Sequence, residues 1–428
     1  MRPNDTSVPH VVILGGGFAG LAAARELRHT AARITLVDQR NHHLFQPLLY
    51  QVATAALNPS DIAYPIRSVL RRQKNVRTLL AKAESIDVAR RTVVLADSEL
   101  PYDFLIVATG ARHSYFGNDS WERWAPGLKS IEDALEIRNR VLSAYEAAEA
   151  ESDPDRVRQL LTFVVVGGGP TGVELAGALI EIGRQTVARD FRSFDPTSLR
   201  VVLIEGSPRL LPPFDPALSA EAERELRDLG VEVITGVHVT RIDAEGVGYA
   251  DQEIRARTVL WAAGVAASPI GASLGASTDR AGRVRVLPDL TVPGHPEVLV
   301  AGDLISLEVK GRGVPGVAPA AVQAGRHAAR NVQRALLGKP LEPFRYRDKG
   351  SLATVGRAAA VAQFGRFRIA GFVAWWLWWV VHVFYLIGYR NRIAVMIGWA
   401  WQYFAFSRGA RLITGKAWRP DSPGAESP

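Results

Sequence analysis

The chain is 428 residues long, 47% apolar and 22% charged, with a net charge of +8 and no cysteine. That length predicts two or three domains rather than one core, and the apolar fraction excludes general disorder. The missing cysteines exclude disulfides, thiolate metal sites and thiol catalysis. The positive charge favours anionic partners, but no lysine- or arginine-rich run and no nucleic-acid motif stands out, so nucleic acid is not expected as a partner.

Met1–Pro9 is short and polar and is expected to be loose, as is Trp418–Pro428. The first apolar run, "VVILGGG", breaks into glycine too early for a secretion signal, so export is not expected. Val11–Leu14, "GGGFAG" and "LAAARELR" read as strand, tight turn and helix, and "ARITLVD" is the next strand, ending at Asp38. "YDFLIVATG" follows at Tyr102–Gly110, then a helical stretch, "SIEDALEIRNRVLSAYEAAEA". "TFVVVGGGPTGVELAGALIEI" repeats the opening grammar and closes with "LRVVLIE" at Glu205. "TVLWAAGV" parallels the earlier "LIVATG", and "PEVLVAGD" ends at Asp303. A helix from "APAAVQAG" stops at Gly338 before Pro340, and an aromatic tail begins soon after.

Gly15, Gly17 and Gly20 form G-x-G-x-x-G between a strand and a helix. The glycines permit the tight turn, the approach of a pyrophosphate and close packing of helix on strand, and the helix N-terminus offers free N–H groups to phosphate. Asp38, 18 residues past Gly20, stands where a carboxylate can accept hydrogen bonds from ribose hydroxyls. Gly167, Gly169 and Gly172 repeat the pattern, with Glu205 as the closing acid 33 residues on. The insertion "GRQTVARDFRSFDPTS" accounts for the longer crossover. A carboxylate at 205 repels a 2′-phosphate and favours NADH over NADPH, with Arg209 close enough to temper it.

Two dinucleotide sites in one chain imply one bound flavin dinucleotide, FAD, and one exchangeable nicotinamide, NADH. An aspartate after a glycine at a strand end suits the ribityl–pyrophosphate region of a flavin, and Asp303 lies far beyond the second fingerprint. The economical topology is therefore a first domain interrupted by a second. Residues 1–115 and 275–345 are expected to hold FAD and residues 116–274 NADH, leaving 346–428 as a C-terminal region.

The chain resembles the type II NADH dehydrogenases, single-subunit, non-pumping NADH:quinone oxidoreductases of respiratory membranes. The resemblance runs from Val11 to about Gly415 and rests on "NHHLFQPLLYQVATAALNPSDIAYPIR", "GGGPTGVELAG", "VPGHPEVLVAGD", "KGSLATVGRAAAVA" and "GYRNRIAVMIGWAWQYFAFSRGARLITG". It implies an FAD-dependent enzyme that passes a hydride from NADH to FAD and two electrons to a membrane quinone without pumping protons. It implies an α/β fold on the glutathione-reductase-like plan, with two Rossmann-like domains and a membrane-associating helical tail. Gly15, Gly17, Gly20, Asp38, Thr109, Gly110 and Asp303 match FAD-site positions, and Gly167, Gly169, Gly172, Glu174 and Glu205 match the NADH side. Glu174 matches a position near the nicotinamide and flavin. Gln323 matches the second glutamine of the family's quinone-site motif "AQxAxQ", whose first glutamine is Pro319 here. Lys349 matches a lysine near the quinone pocket.

The reaction needs orientation and electrostatics rather than a nucleophile or a metal. Reducing the quinone also takes up two protons, and Glu174, Gln323 and Lys349 are the candidates for that relay. His42 and His43 are expected to be supporting or exposed polar groups, and His382 an interfacial polar residue. Relatives that need a cysteine pair are excluded. Soluble NADH:ferredoxin or rubredoxin reductases, and a flavin redox sensor without turnover, stay as alternatives, but neither gives the tail a task.

Ile369–Gly388 is 20 uncharged residues, long enough to span a bilayer, and Ile393–Phe406 is too short to do so. Trp375, Trp378, His382, Tyr385 and Tyr389 form a semi-polar stripe, and Phe372, Trp376, Val380, Val383 and Ile387 a more apolar face. With Arg366, Arg368, Arg390, Arg392, Arg408, Arg411, Lys416 and Arg419 flanking them, these stretches are expected to lie in one leaflet. The enzyme is thus expected to sit peripherally on the cytoplasmic face of the cell membrane through residues 366–419. A single span and a homodimer through the apolar surface are the alternatives.

Overall fold

The computed structural model describes residues 8–186, 190–195, 198–386, 392–393, 395–397, 399 and 410–414. Two compact units emerge: residues 1–44, 63–112 and 265–349 form one, and residues 45–62, 113–264 and 350–428 the other.

In the first unit the β-branched run His10–Leu14 is the middle of a six-stranded sheet. It pairs in parallel with Arg33–Asp38 on one side (Val11 opposite Ile34) and Phe104–Val107 on the other (Val11 opposite Phe104). Val76–Leu80 extends one edge. On the other side the late strand His295–Val300 pairs in parallel with Phe104–Val107, Val298 opposite Leu105, and Thr291–Val292 closes that edge antiparallel. Strands covered on both faces must be apolar throughout, and Val11, Val12, Ile13, Leu105 and Ile106 are fully buried. The helices Phe18–Glu26 and Ala318–Leu336 pack together at Gly325, where a Cβ would lie 2.0 Å from the Ala19 carbonyl oxygen.

The second unit carries a four-stranded parallel sheet in the order Val231–Thr235, Arg200–Glu205, Thr162–Val166, Thr258–Trp261. The helix Ile131–Ala150 opens on a capping box, Ser130 accepting from the Asp133 N–H and Asp133 from the Ser130 N–H, a device worth about 1 kcal/mol. Ser351–Val355, Ala359–Phe364 and Phe367–Gly371 form an antiparallel meander. The helix Pro170–Glu181 lies against the first of these strands, so closely that a Cβ on Gly177 would sit 2.7 Å from the Gly356 nitrogen.

The uncharged run after Arg368 is not one helix. Its first residues finish the strand Phe367–Gly371, and the helix that follows, Phe372–Tyr385, has 14 residues. At 1.5 Å per residue it reaches about 21 Å, short of a hydrocarbon core of about 30 Å. Among the described residues no helix is long and apolar enough to cross a membrane. Arg392 donates to the carbonyls of Phe384 and Leu386, so a cation closes the helix C-terminus. Phe372, Val373, Trp376, Val380 and Phe384 are exposed, whereas Ala374 and Trp378 are buried. His382 is half-buried, stacks on Trp378 with centroids 4.2 Å apart and shares a hydrogen bond with the Trp378 carbonyl. Tyr389, Ile387, most of Ile393–Phe406, and Arg390, Arg408, Lys416 and Arg419 lie outside the described residues.

Candidate active site

The first fingerprint turns off the end of the central strand. Gly15 has φ +99, and a Cβ there would meet the Ala108 carbonyl oxygen at 2.4 Å. A Cβ on Gly20 would lie 1.8 Å from the Gly15 oxygen, so the third glycine is required by the tightness of strand on helix. Gly17 caps the helix with no side-chain bond, which leaves the first-turn N–H groups for an anion. Asp38 accepts from the Gly16 N–H at 2.5 Å and from the Arg40 N–H at 2.7 Å. The acid therefore latches the turn to the strand end, and each oxygen keeps a lone pair for a ribose hydroxyl.

Thr109 follows on the neighbouring strand end with its hydroxyl buried and without a hydrogen-bond partner. Gly110, next along, has φ +70. Asp303 stands in a short turn, Gly302–Leu304, with Gly316 against its carboxyl group. The open helix end and the orphaned hydroxyl fit a dinucleotide such as FAD. Behind them is His43, for which the sequence left a supporting and an exposed placement open. His43 is buried, its Nδ1 hydrogen-bonds the Gly16 carbonyl at 3.1 Å, and Phe18 meets it edge-on at 5.0 Å. Burial pushes its pKa down to about 4, so the neutral ring braces the turn.

The second fingerprint repeats this geometry in its own unit. Gly167 has φ +112, and a Cβ on Gly172 would lie 1.8 Å from the Gly167 oxygen. Gly169 caps the helix Pro170–Glu181, again without a side-chain bond. Glu205 accepts from the Gly168 N–H at 2.5 Å and the Ser207 N–H at 2.7 Å, the counterpart of Asp38. Arg209 turns to its own loop and donates to the carbonyls of Pro212 and Phe214.

Glu174 is buried on the same helix, and burial lifts its pKa to about 8, opposed only by the Thr354 N–H at 3.4 Å. Tyr50, Gln51 and Thr354 are buried polar residues in the same unit, and sequence reading passed over all three. For Tyr50 and Gln51 the signal was faint: with Thr54 they are the polar side chains inside the apolar run "PLLYQVATAAL". Gln323 and Lys349 belong to the first unit. The Gln323 amide donates to the carbonyls of Pro319 and Arg347 and accepts from the Arg347 N–H at 3.0 Å, so it clamps the segment leading to Lys349. Pro319, in place of the family's first glutamine, lies in the first turn of its helix, where a missing N–H costs nothing. Lys349 is exposed.

Residues 9–325 match the pyridine nucleotide-disulphide oxidoreductase family and residues 349–408 the NDH2 C-terminal domain. A type II NADH:quinone oxidoreductase of Mycobacterium tuberculosis, NdhA, is 46% identical over 424 residues, covering 95% of this chain and 89% of its own length. A second from that organism, Ndh, is 46% identical, with 94% and 90% covered. The chain belongs to the type II NADH:quinone oxidoreductases. The structure of NDH2 from Plasmodium falciparum in complex with NADH superposes with a TM-score of 0.86 at 19% identity, covering 95% of this chain and 100% of that one. As a type II NADH:quinone oxidoreductase the chain keeps the α/β fold of the wider family, but with no cysteine it lacks the thiol chemistry in that family's name.

Proposed function

We infer that the chain is a respiratory NADH:quinone oxidoreductase, taking a hydride from NADH onto FAD and passing two electrons to a membrane quinone without pumping protons. One observation carries this. Two complete dinucleotide fingerprints stand on separate parallel sheets in a chain with no cysteine, so electrons must leave to an acceptor that needs no thiol. Bound FAD supplies hydride acceptance and electron delivery. The chain's own residues bind, orient and hold protons.

The unit built on Gly15, Gly17 and Gly20 is assigned FAD. The open helix end receives the pyrophosphate, Asp38 the ribose, and Asp303, Thr109 and Gly110 the middle of the molecule. The late strand ending before Asp303 supports an FAD domain made of residues 1–115 and 275–345. The unit built on Gly167, Gly169 and Gly172 is assigned NADH, with Glu205 opposing a 2′-phosphate. Glu174, held protonated at neutral pH by its burial, is the proton-holding group for quinone reduction. Gln323 acts by fixing the segment before Lys349, whose ammonium is assigned to the quinone's polar head.

The exposed apolar stripe Phe372–Phe384 supports peripheral attachment to a membrane surface, which we assign to the cytoplasmic face. A lipid surface, rather than a second copy of the chain, is its assigned cover. The deciding experiment is anaerobic. NADH should bleach the flavin absorbance of the purified protein, and added quinone should restore it rapidly. Bleaching without recovery would move the assignment to a protein-acceptor reductase or a sensor.

A further inference from the structure

Tyr50 and Gln51 lie buried on the short helix Leu49–Ala53, and the reaction as described gives them no task. Buried polar groups persist when they are bonded, and these two are bonded in one direction. The Trp399 indole N–H donates to Gln51 Oε1 at 2.6 Å. An indole nitrogen only donates, which orients the amide and leaves Gln51 Nε2 to donate to Tyr50 Oη at 3.0 Å. The Tyr50 hydroxyl is then left to donate to Thr354 Oγ1 at 3.1 Å. The Thr354 N–H in turn donates to Glu174 Oε1 at 3.4 Å. The side-chain bonds run from Trp399 to the Thr354 hydroxyl, and the backbone N–H of that same residue meets the Glu174 carboxyl, so Tyr50 acts on Glu174 by holding Thr354 in place. An N–H held against a carboxyl group favours its charged form.

We propose that Tyr50 and Gln51 are positioning residues that carry the seating of Trp399 to the Glu174 carboxyl, so that docking of the C-terminal segment tunes proton delivery to the quinone. The proposal rests on Glu174 as the proton-holding group. Other titratable groups bear on it little. Tyr50 faces it from its own helix, and Glu181, on the Glu174 helix, accepts from the Arg357 N–H at 2.6 Å. The packed strands Thr162–Val166 and Ser351–Val355 carry no titratable residue. On the other packed elements Arg200 pairs with Glu232, Arg224 with Glu221 and Arg227 with Glu223, Glu205 is held by backbone N–H groups, and Arg184 donates to the Leu229 carbonyl.

The test uses the full-length FAD-loaded enzyme with saturating NADH and a short-chain benzoquinone, its rate followed across about pH 6 to 10. The wild type should lose rate on the alkaline side as Glu174 gives up its proton, and Glu174→Gln should abolish that limb. Tyr50→Phe and Thr354→Val each release the Thr354 side chain, loosen its N–H from Glu174, disfavour the carboxylate and should move the limb upward by roughly half a pH unit. Trp399→Phe should shift it the same way by less, and Tyr50→Phe with Trp399→Phe no further than Tyr50→Phe alone. The rate of flavin reduction by NADH should stay at the wild-type value in Tyr50→Phe, Thr354→Val and Trp399→Phe. Tyr50→Phe and Thr354→Val variants with normal flavin content and an unmoved limb would overturn the proposal and leave the role of Glu174 standing, as would additive shifts in the double variant. An alkaline limb that persists in Glu174→Gln would overturn both.

Discussion

Glu205 and Asp38 do the same mechanical work, each taking two backbone N–H groups and tying a glycine turn to a strand end. Specificity and local structure are therefore joined at Glu205. Glu205→Gln removes the charge and keeps one good acceptor, and should narrow the preference for NADH over NADPH by about tenfold in kcat/KM. Glu205→Ser should narrow it too, at a larger loss of NADH binding, because both N–H groups lose their acceptor. Unchanged selectivity in both variants would remove Glu205 as the discriminator. Glu174 has a pH signature in stability as well. Its folded pKa, about 8, lies above the ordinary carboxyl value of 4.5, so the stability it contributes is present at acid pH and is lost as pH rises through about 8. Glu174→Gln should therefore melt several degrees higher relative to the wild type at alkaline pH than at acid pH. A melting difference independent of pH would contradict the raised pKa. Thr109→Val should retain FAD less well, by about 1 kcal/mol, with the apoprotein's melting unchanged. That outcome requires the orphaned hydroxyl to have its partner in the bound dinucleotide, and flavin titration of the two proteins checks it.

At the scale of elements, the sequence marked most strands and helices correctly because their signals are local. A β-branched run, three glycines and an alanine-rich helix announce each fingerprint within about 20 residues, and the structure pairs them in parallel as those signals predict. The tail was harder to read. Hydropathy alone joined Ile369–Gly371 to the helix after it, whereas cross-strand pairing of Ala370 with Val361 and Ile369 with Ala362 claims those residues for a sheet. The helix Phe372–Tyr385 then divides, Ala374 and Trp378 turned inward and Trp376, Val380 and Phe384 outward. Replacing those last three by serine should abolish co-sedimentation with lipid vesicles while turnover with a water-soluble quinone persists. Vesicle binding that survives would place attachment elsewhere in the chain.

At the scale of the whole molecule, the net charge of +8 adds a long-range term to attachment. Some of the tail's cations are already engaged: Arg368 pairs with Asp215 at 2.9 Å, Arg411 pairs with Asp190, and Arg366 lies over the Phe367 ring at 5.7 Å. Binding should be tighter to vesicles with anionic lipid than to neutral ones, and that difference should vanish as salt rises, leaving the apolar contribution. Equal binding to both vesicle types would assign attachment to the apolar stripe alone.

Both glycine turns, both closing acids, the cysteine-free redox class and the family were determined by the sequence itself, because each depends on residues close together in the chain or on composition. Tertiary structure alone decided what lies between distant residues. It brought Tyr50 to Thr354, 304 positions away, and Trp399 to Gln51, 348 away. It turned Gln323 to the backbone at Arg347 and buried Glu174. Hydrogen bonds and desolvation act over a few ångströms of space and are blind to chain separation, so no local pattern encodes them.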